Sequence, residues 1–220
     1  MFAWDLARFG EWADKAFTKA RVRDQYVHRF KIHFPNEERG AGRPAMTRPA
    51  YEMQRGMGAV FGLNAGWEHP LWFADAPGIE DTNGFARQNW FEPVGREAVM
   101  LRDAVGVIDI SNFGKYEVTG PGAGDWLDAL VANHVPREIG NSCLTPLIGM
   151  RGGVAGDFTV TMTGDESYMM IGSGMAERYH RRFFDMVPLP DGTGFEVVTP
   201  RISGFNVAGP RSREMLAGLT

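Results

Sequence analysis

The chain carries one short phrase twice. Val118-Thr119-Gly120-Pro121 runs into Leu127 and Leu130, and Val207-Ala208-Gly209-Pro210 runs into Leu216 and Leu219 at the same offsets. Each copy reads as a strand, a Gly-Pro turn and a helix. The proline falls in the helix's first turn, where its missing N–H is not needed. A repeated strand–turn–helix unit constrains the chain to an α+β fold, antiparallel sheets with helices on one face, in two related lobes. The second copy stops at Thr220 with no closing strand. A helix of about ten residues is marginal without a partner surface. The second lobe is therefore expected to be incomplete, and the chain truncated at that end.

The pattern around the repeats is regular from Arg96 onward. Arg96 to Ala104 suits a short helix, and 107–111 and 115–119 suit strands. Trp126, Leu127, Leu130 and Val131 share one face of the helix after Pro121. Residues 158–163 and 168–171 alternate as an antiparallel hairpin around Gly164-Asp165. From Met175 to Val187, Met175, Tyr179, Phe183 and Val187 align as the apolar stripe of a helix.

The first half is less regular. Leu6, Phe9, Ala13, Phe17 and Ala20 predict one amphipathic helix over about residues 5–30. Phe34-Pro35-Asn36 through Arg43-Pro44 is polar and rich in Gly and Pro, a linker and domain boundary. Residues 49–92 read as irregular but aromatic-rich, with Phe61, Trp67, Trp72, Phe73, Phe85, Trp90 and Phe91. Aromatics bury large area, so this segment is expected to pack over a domain.

Composition narrows the function classes. The 220 residues are 44% hydrophobic with a net charge of -4, enough for a real core and the wrong sign for a nucleic-acid partner. The arginines between Arg21 and Arg55 are interleaved with acids, as on a solvated face. Cys143 is the single cysteine, so no intrachain disulfide forms, consistent with a reducing compartment. The five histidines show no metal-ligand spacing, and no metal is expected. No apolar run is long enough to span a membrane, and the N-terminus lacks a secretory pattern. The location expected is cytoplasmic, or the mitochondrial matrix in a eukaryote.

Gly152-Gly153-Val154-Ala155-Gly156-Asp157-Phe158-Thr159-Val160-Thr161 sets one carboxylate, Asp157, between a glycine-rich turn and a strand. Glycines admit close backbone approach, so Asp157 can be held at the wall of a pocket. Taken alone, the segment reads more readily as an acidic cap on a hairpin.

Four segments in order resemble the glycine-cleavage T-protein, or aminomethyltransferase, family. They are Gly66-Trp67-Glu68-His69-Pro70, Asp109-Ile110-Ser111, Val118-Thr119-Gly120-Pro121, and the Gly152-Gly153 to Asp157 stretch. The region His33-Phe34-Pro35-Asn36-Glu37-Glu38-Arg39, with Tyr51-Glu52-Met53-Gln54-Arg55-Gly56 and Val60-Phe61-Gly62, resembles the joint between flavin and folate domains in dimethylglycine and sarcosine dehydrogenases. The resemblance implies residues 1–45 as the end of an FAD-dependent oxidoreductase central segment with its linker. It implies residues 46–220 as the N-terminal part of a T-protein-like folate-binding domain. No G-x-G-x-x-G fingerprint occurs, so FAD is expected only in a domain ahead of this chain, in cis or on a separate subunit.

The implied chemistry is capture on tetrahydrofolate of the methyl-derived carbon of an N-methyl amine. The resemblance makes Asp157 the catalytic carboxylate and places Phe113, Leu144, Asp157, Thr159 and Gly172 at the folate. Gly156 replaces the first acid of the family's Asp-Asp pair, Leu144 replaces a pocket tyrosine, and Gly172-Ser173-Gly174 replaces a strand end bearing asparagine. Further folate contacts of the family are expected beyond Thr220, so little catalysis is expected from this chain alone. Two other readings stay open: a non-catalytic folate-binding or docking module of a separate flavoprotein, and a T-like methyltransferase or demethylase with another substrate. Trp67, Trp72 and Trp90 are expected in the core, Arg201 on the surface and His134 at a helix end, while Asp109 reads equally as a cap on the turn after its strand and as a substrate contact.

Overall fold

The computed structural model describes residues 5–6 and 9–219, which divide into two compact units. Of the described residues, one unit holds 112–202 with 5–6 and 9–10; the other holds 11–111 and 203–219.

The first unit is built on a sheet. Chain order runs through α1 (Lys15–His28), α2 (Tyr51–Gly56), the strands β1 (Ala59–Asn64) and β2 (Trp67–Phe73), α3 (Phe91–Asp103) and β3 (Gly106–Asp109), all in the second unit. The sheet then begins with β4 (Gly114–Thr119). It is followed by α4 (Ala123–Leu130), β5 (Ser142–Ile148), β6 (Val154–Gly164), β7 (Ser167–Gly172), α5 (Glu177–Phe184) and β8 (Gly194–Val197). Five antiparallel strands lie in the order β5-β6-β7-β4-β8. Phe158, Val160, Tyr168, Met170, Tyr116 and Val118 all point to one face, as the two-residue period of a strand requires. That face forms the core with Trp126, Leu127 and Leu130 of α4 and Phe184 of α5. The Trp126 indole N–H donates to the Val187 carbonyl at 3.0 Å, so this large ring is buried with its polar edge satisfied.

The stripe expected on α5 is rotated by one position. His180 and Phe184 are its buried residues, while Met175 is 54% exposed. A short 3-10 turn over Gly174–Ala176 precedes the helix and shifts its phase.

The second unit contains the hairpin β1–β2 and an antiparallel pair of β3 with β9 (Phe205–Ala208). After β9 comes α6 (Ser212–Ala217), so the second copy of the repeated phrase is indeed strand, turn, helix. Gly120 and Gly209 have φ of 105° and 117°, conformations that residues with a Cβ avoid. A Cβ on Gly209 would strike the backbone carbonyls of Ala104 and Leu101.

Two sequence expectations for this unit are corrected. The helix expected over about residues 5–30 is an α-helix only over Lys15–His28, capped by Asp14, whose side chain accepts from Phe17 N at 2.7 Å. Residues 7 and 8 of that stretch lie outside the described residues. The segment 49–92 is irregular only after residue 73: α2, β1 and β2 occupy 51–73, and β1 and β2 pair across Ala65-Gly66, both with positive φ. That two-residue turn matches the twist of the flanking strands.

Candidate functional site

Asp157 occupies the face of the five-stranded sheet opposite the core. Its neighbour Phe158 is fully buried, so strand alternation turns Asp157 and Thr159 outward, where both are exposed. The register carries one row across this outer face: Leu144 opposite Thr159, Thr159 opposite Ile171, and Ile171 opposite Lys115. Asp157 lies one row further along, opposite Pro146. Phe113 precedes β4 and has the same parity as Lys115. Phe113 lies in the bend that leads into β4, which is two strands from β6 in the sheet. Leu144 is 67% and Phe113 42% exposed.

The outer face therefore brings together Asp157, Thr159 and Leu144, with Phe113 at its edge. Gly172 belongs to the other side. It pairs with Phe158 and Gly114, and a Cβ there would meet the Phe158 ring at 2.6 Å. Its place in the sheet is to make room for that ring.

Two residues that sequence reasoning passed over flank the site. Lys115 is buried, and its ammonium donates to the Phe113 carbonyl at 3.0 Å. Its backbone N–H donates to the Thr199 hydroxyl at 2.7 Å. Its parity with Phe113 was readable in the strand. His180 is 1% exposed on the core side, with Nδ1 3.3 Å from the Tyr116 hydroxyl. Burial pushes its pKa from the ordinary 6.5 to about 4, opposed by the nearby Asp157 charge and by a hydrogen bond to the Ala155 carbonyl. Only the spacing of His180 to Phe184, four residues along one helix face, hinted at this position.

The remaining candidates take structural places. Asp109 is buried; it accepts from Ser111 N and from the Gln54 amide, each at 2.7 Å, and so caps a turn. Trp72 is buried and donates to Asp81 at 2.8 Å, and Trp67 lies under the Arg48 guanidinium. Arg201 pairs with Glu196 at 3.0 Å, and the exposed His134 stands 3.3 Å from Asp128. Among the described residues, no group of three or more His, Cys, Asp or Glu side chains gathers as a metal site. No helix among them is long and apolar enough to cross a membrane.

An outward carboxylate and hydroxyl flanked by Leu144, Ile171 and Phe113 suit a flat heterocycle carrying N–H groups. The carboxylate accepts from the N–H groups, and the apolar side chains cover the ring.

Residues 50–220 match the GCVT N-terminal domain, and residues 1–47 match the FAD dependent oxidoreductase central domain. The chain belongs to the GCVT family. Dimethylglycine dehydrogenase of Mus musculus is 34% identical over 221 residues, covering 98% of this chain and 25% of the relative. The 4-methylaminobutanoate oxidase (formaldehyde-forming) of Paenarthrobacter nicotinovorans is 26% identical, covering 99% of this chain and 27% of that protein. The chain thus spans about a quarter of the length of these relatives. The glycine cleavage system aminomethyltransferase T from Bartonella henselae shares the fold, with a TM-score of 0.60 at 22% identity, over 79% of this chain and 43% of that one. The GCVT domain of this chain thus has the T-protein fold, a mixture of helices and antiparallel sheets.

Proposed function

We propose that this chain is part of a folate-dependent one-carbon transfer enzyme of the dimethylglycine/sarcosine dehydrogenase type, and that Asp157 is its catalytic carboxylate. The observation that carries the reading is Asp157 on the open sheet face beside the exposed Leu144, in a GCVT-family chain. Leu144 and Phe113 leave apolar surface exposed on the sheet face that carries Asp157, and apolar surface with a few placed polar groups suits a ligand.

Tetrahydrofolate, when bound, supplies the amine nitrogens that take up the carbon. The chain's own part is to bind and aim it. The Asp157 carboxylate accepts a hydrogen bond from a folate N–H, takes up a proton as the nitrogen reacts, and offsets positive charge nearby. Leu144 and Phe113 cover the heterocycle and exclude water, which would otherwise take the electrophilic carbon as formaldehyde. Thr159, two residues along the same face, offers a hydroxyl to the ring's polar edge. Residues 1–45 are read as the end of the oxidoreductase segment and 46–220 as the folate-binding part. The FAD-binding domain is the partner, in cis or as a subunit, and delivers the oxidised N-methyl amine.

The test is calorimetric titration of the chain with tetrahydrofolate under reducing conditions, beside Asp157→Asn. Saturable binding that weakens about tenfold or more in the variant, the scale of a lost charged hydrogen bond, supports the reading. Binding indifferent to the variant removes Asp157 from the pocket wall. No binding by a folded chain refutes folate capture by this chain.

A further inference from the structure

We propose that His180 is a positioning residue: seated over Gly156 from the core side, it fixes the backbone that carries Asp157. The proposal rests on the reading of Asp157 as the working carboxylate, but its structural part stands without it.

The backbone of β6 needs such a support at this point. Pairing of β6 with β7 begins only at Phe158 opposite Gly172, one residue after Asp157. On the other side Asp157 faces Pro146, whose carbonyl turns away to accept from Ala132 N at 2.9 Å. The register with β5 also slips between Leu147 and Ile148, opposite the start of β6. The sheet's ladder therefore holds Asp157 thinly. The residue before it is glycine, which has the largest backbone freedom to lose.

His180 supplies what the ladder lacks. Gly156 points to the core side, and a Cβ there would fall inside contact distance of His180 Nε2. Only glycine lets the imidazole reach the strand's backbone. The ring is held on its other sides as well: the Phe158 ring packs edge-on at 4.7 Å, and the Tyr116 hydroxyl meets Nδ1 at 3.3 Å. With the hydroxyl donating to Nδ1, Nε2 bears the proton on the side of Gly156, where the Ala155 carbonyl is the backbone acceptor that it faces. One helix side chain thus ties the peptide two residues ahead of Asp157 to α5 and β4. This accounts for glycine at position 156, since any side chain there, an acid included, would displace the imidazole.

The test separates the hydrogen bond from the packing. His180→Gln keeps an N–H for the Ala155 carbonyl, and His180→Phe keeps the ring but not the donor. Two readouts are taken on each: amide hydrogen exchange at Asp157 against that at Val160, and affinity for 5-formyltetrahydrofolate as a stable probe. The expected result is that His180→Phe leaves Val160 protected, speeds exchange at Asp157 about tenfold and weakens the probe by a similar factor, the scale of one lost hydrogen bond. His180→Gln stays closer to wild type on both. Equal effects of the two variants, or a Phe variant that matches wild type, overturn the proposal. If Val160 loses protection in both, Tyr116→Phe decides. It keeps every ring in place and should still loosen Asp157; unchanged exchange there refutes the idea. If wild type fails to bind the probe, the folate reading falls, and the exchange data alone judge His180.

Discussion

Acidification should weaken the five-stranded unit well before its carboxylates are protonated, because His180 is buried in the neutral form. Its pKa falls from 6.5 to about 4 in the folded chain, chiefly through burial. Between those values the unfolded chain binds a proton that the folded chain refuses. Stability is thus complete above pH 6.5 and drains away as pH falls toward 4. At about 1.4 kcal/mol per pH unit, the loss approaches about 3 kcal/mol by pH 4 and is about 2 kcal/mol at pH 5. The nearby Asp157 charge already opposes this shift. His69, in the other unit, is also lowered by burial and acts in the same direction. The assay is therefore a difference. Urea unfolding is followed through the exchange of the Phe158 and Val160 amides, which lie in the core strand β6, from pH 7.5 to 5. Wild type is set against His180→Gln, which cannot titrate. The variant should lose about 2 kcal/mol less than wild type over that range. Parallel curves would show that His180 is not held neutral by burial, and the packing argument around it would fail.

Other perturbations probe other parts of the fold. Glu68→Leu removes the buried carboxylate that pairs with the Arg43 guanidinium at 2.5 Å and leaves Arg43 the Phe61 carbonyl and Glu38; unfolding in denaturant should show a loss of about 2 kcal/mol, the scale of a lost charged hydrogen bond. Gly120→Ala places a Cβ against the Gly192 carbonyl at a φ of 105°, and thermal denaturation should report a cost of about 1–3 kcal/mol. Burial pushes the Cys143 thiol up, with Asp128 adding to it, so alkylation by iodoacetamide at pH 8 should run slower than for free cysteine; an equal rate would contradict the partial burial.

Local chemistry made much of this protein legible in its residues. The Gly-Pro phrases predicted two strand–turn–helix units, although each proline sits in the turn just ahead of the N-cap, Gly122 or Arg211, rather than in the helix's first turn. The hairpin over residues 158–171 followed from strict alternation, and the same alternation sent Phe158 inward and Asp157 outward. The β1–β2 hairpin was hidden, since aromatics crowd both of its faces and blur the period, although Ala65-Gly66 marked its turn. The α5 stripe was misphased by one residue because a 3-10 turn at its start follows a different period.

What the sequence by itself determined was several of the elements after Arg96, the family and the position of one carboxylate on a strand, all consequences of short-range geometry and ordered motifs. The tertiary structure decided which residues meet. It set Leu144 opposite Thr159, turned Gly172 toward Phe158, and brought His180 from a helix to the backbone before Asp157. Such meetings depend on strand register and on the depth at which a helix seats against a sheet. Both are fixed by the packing of the whole core, where one methyl group too many at Gly156 would close the gap that the imidazole fills.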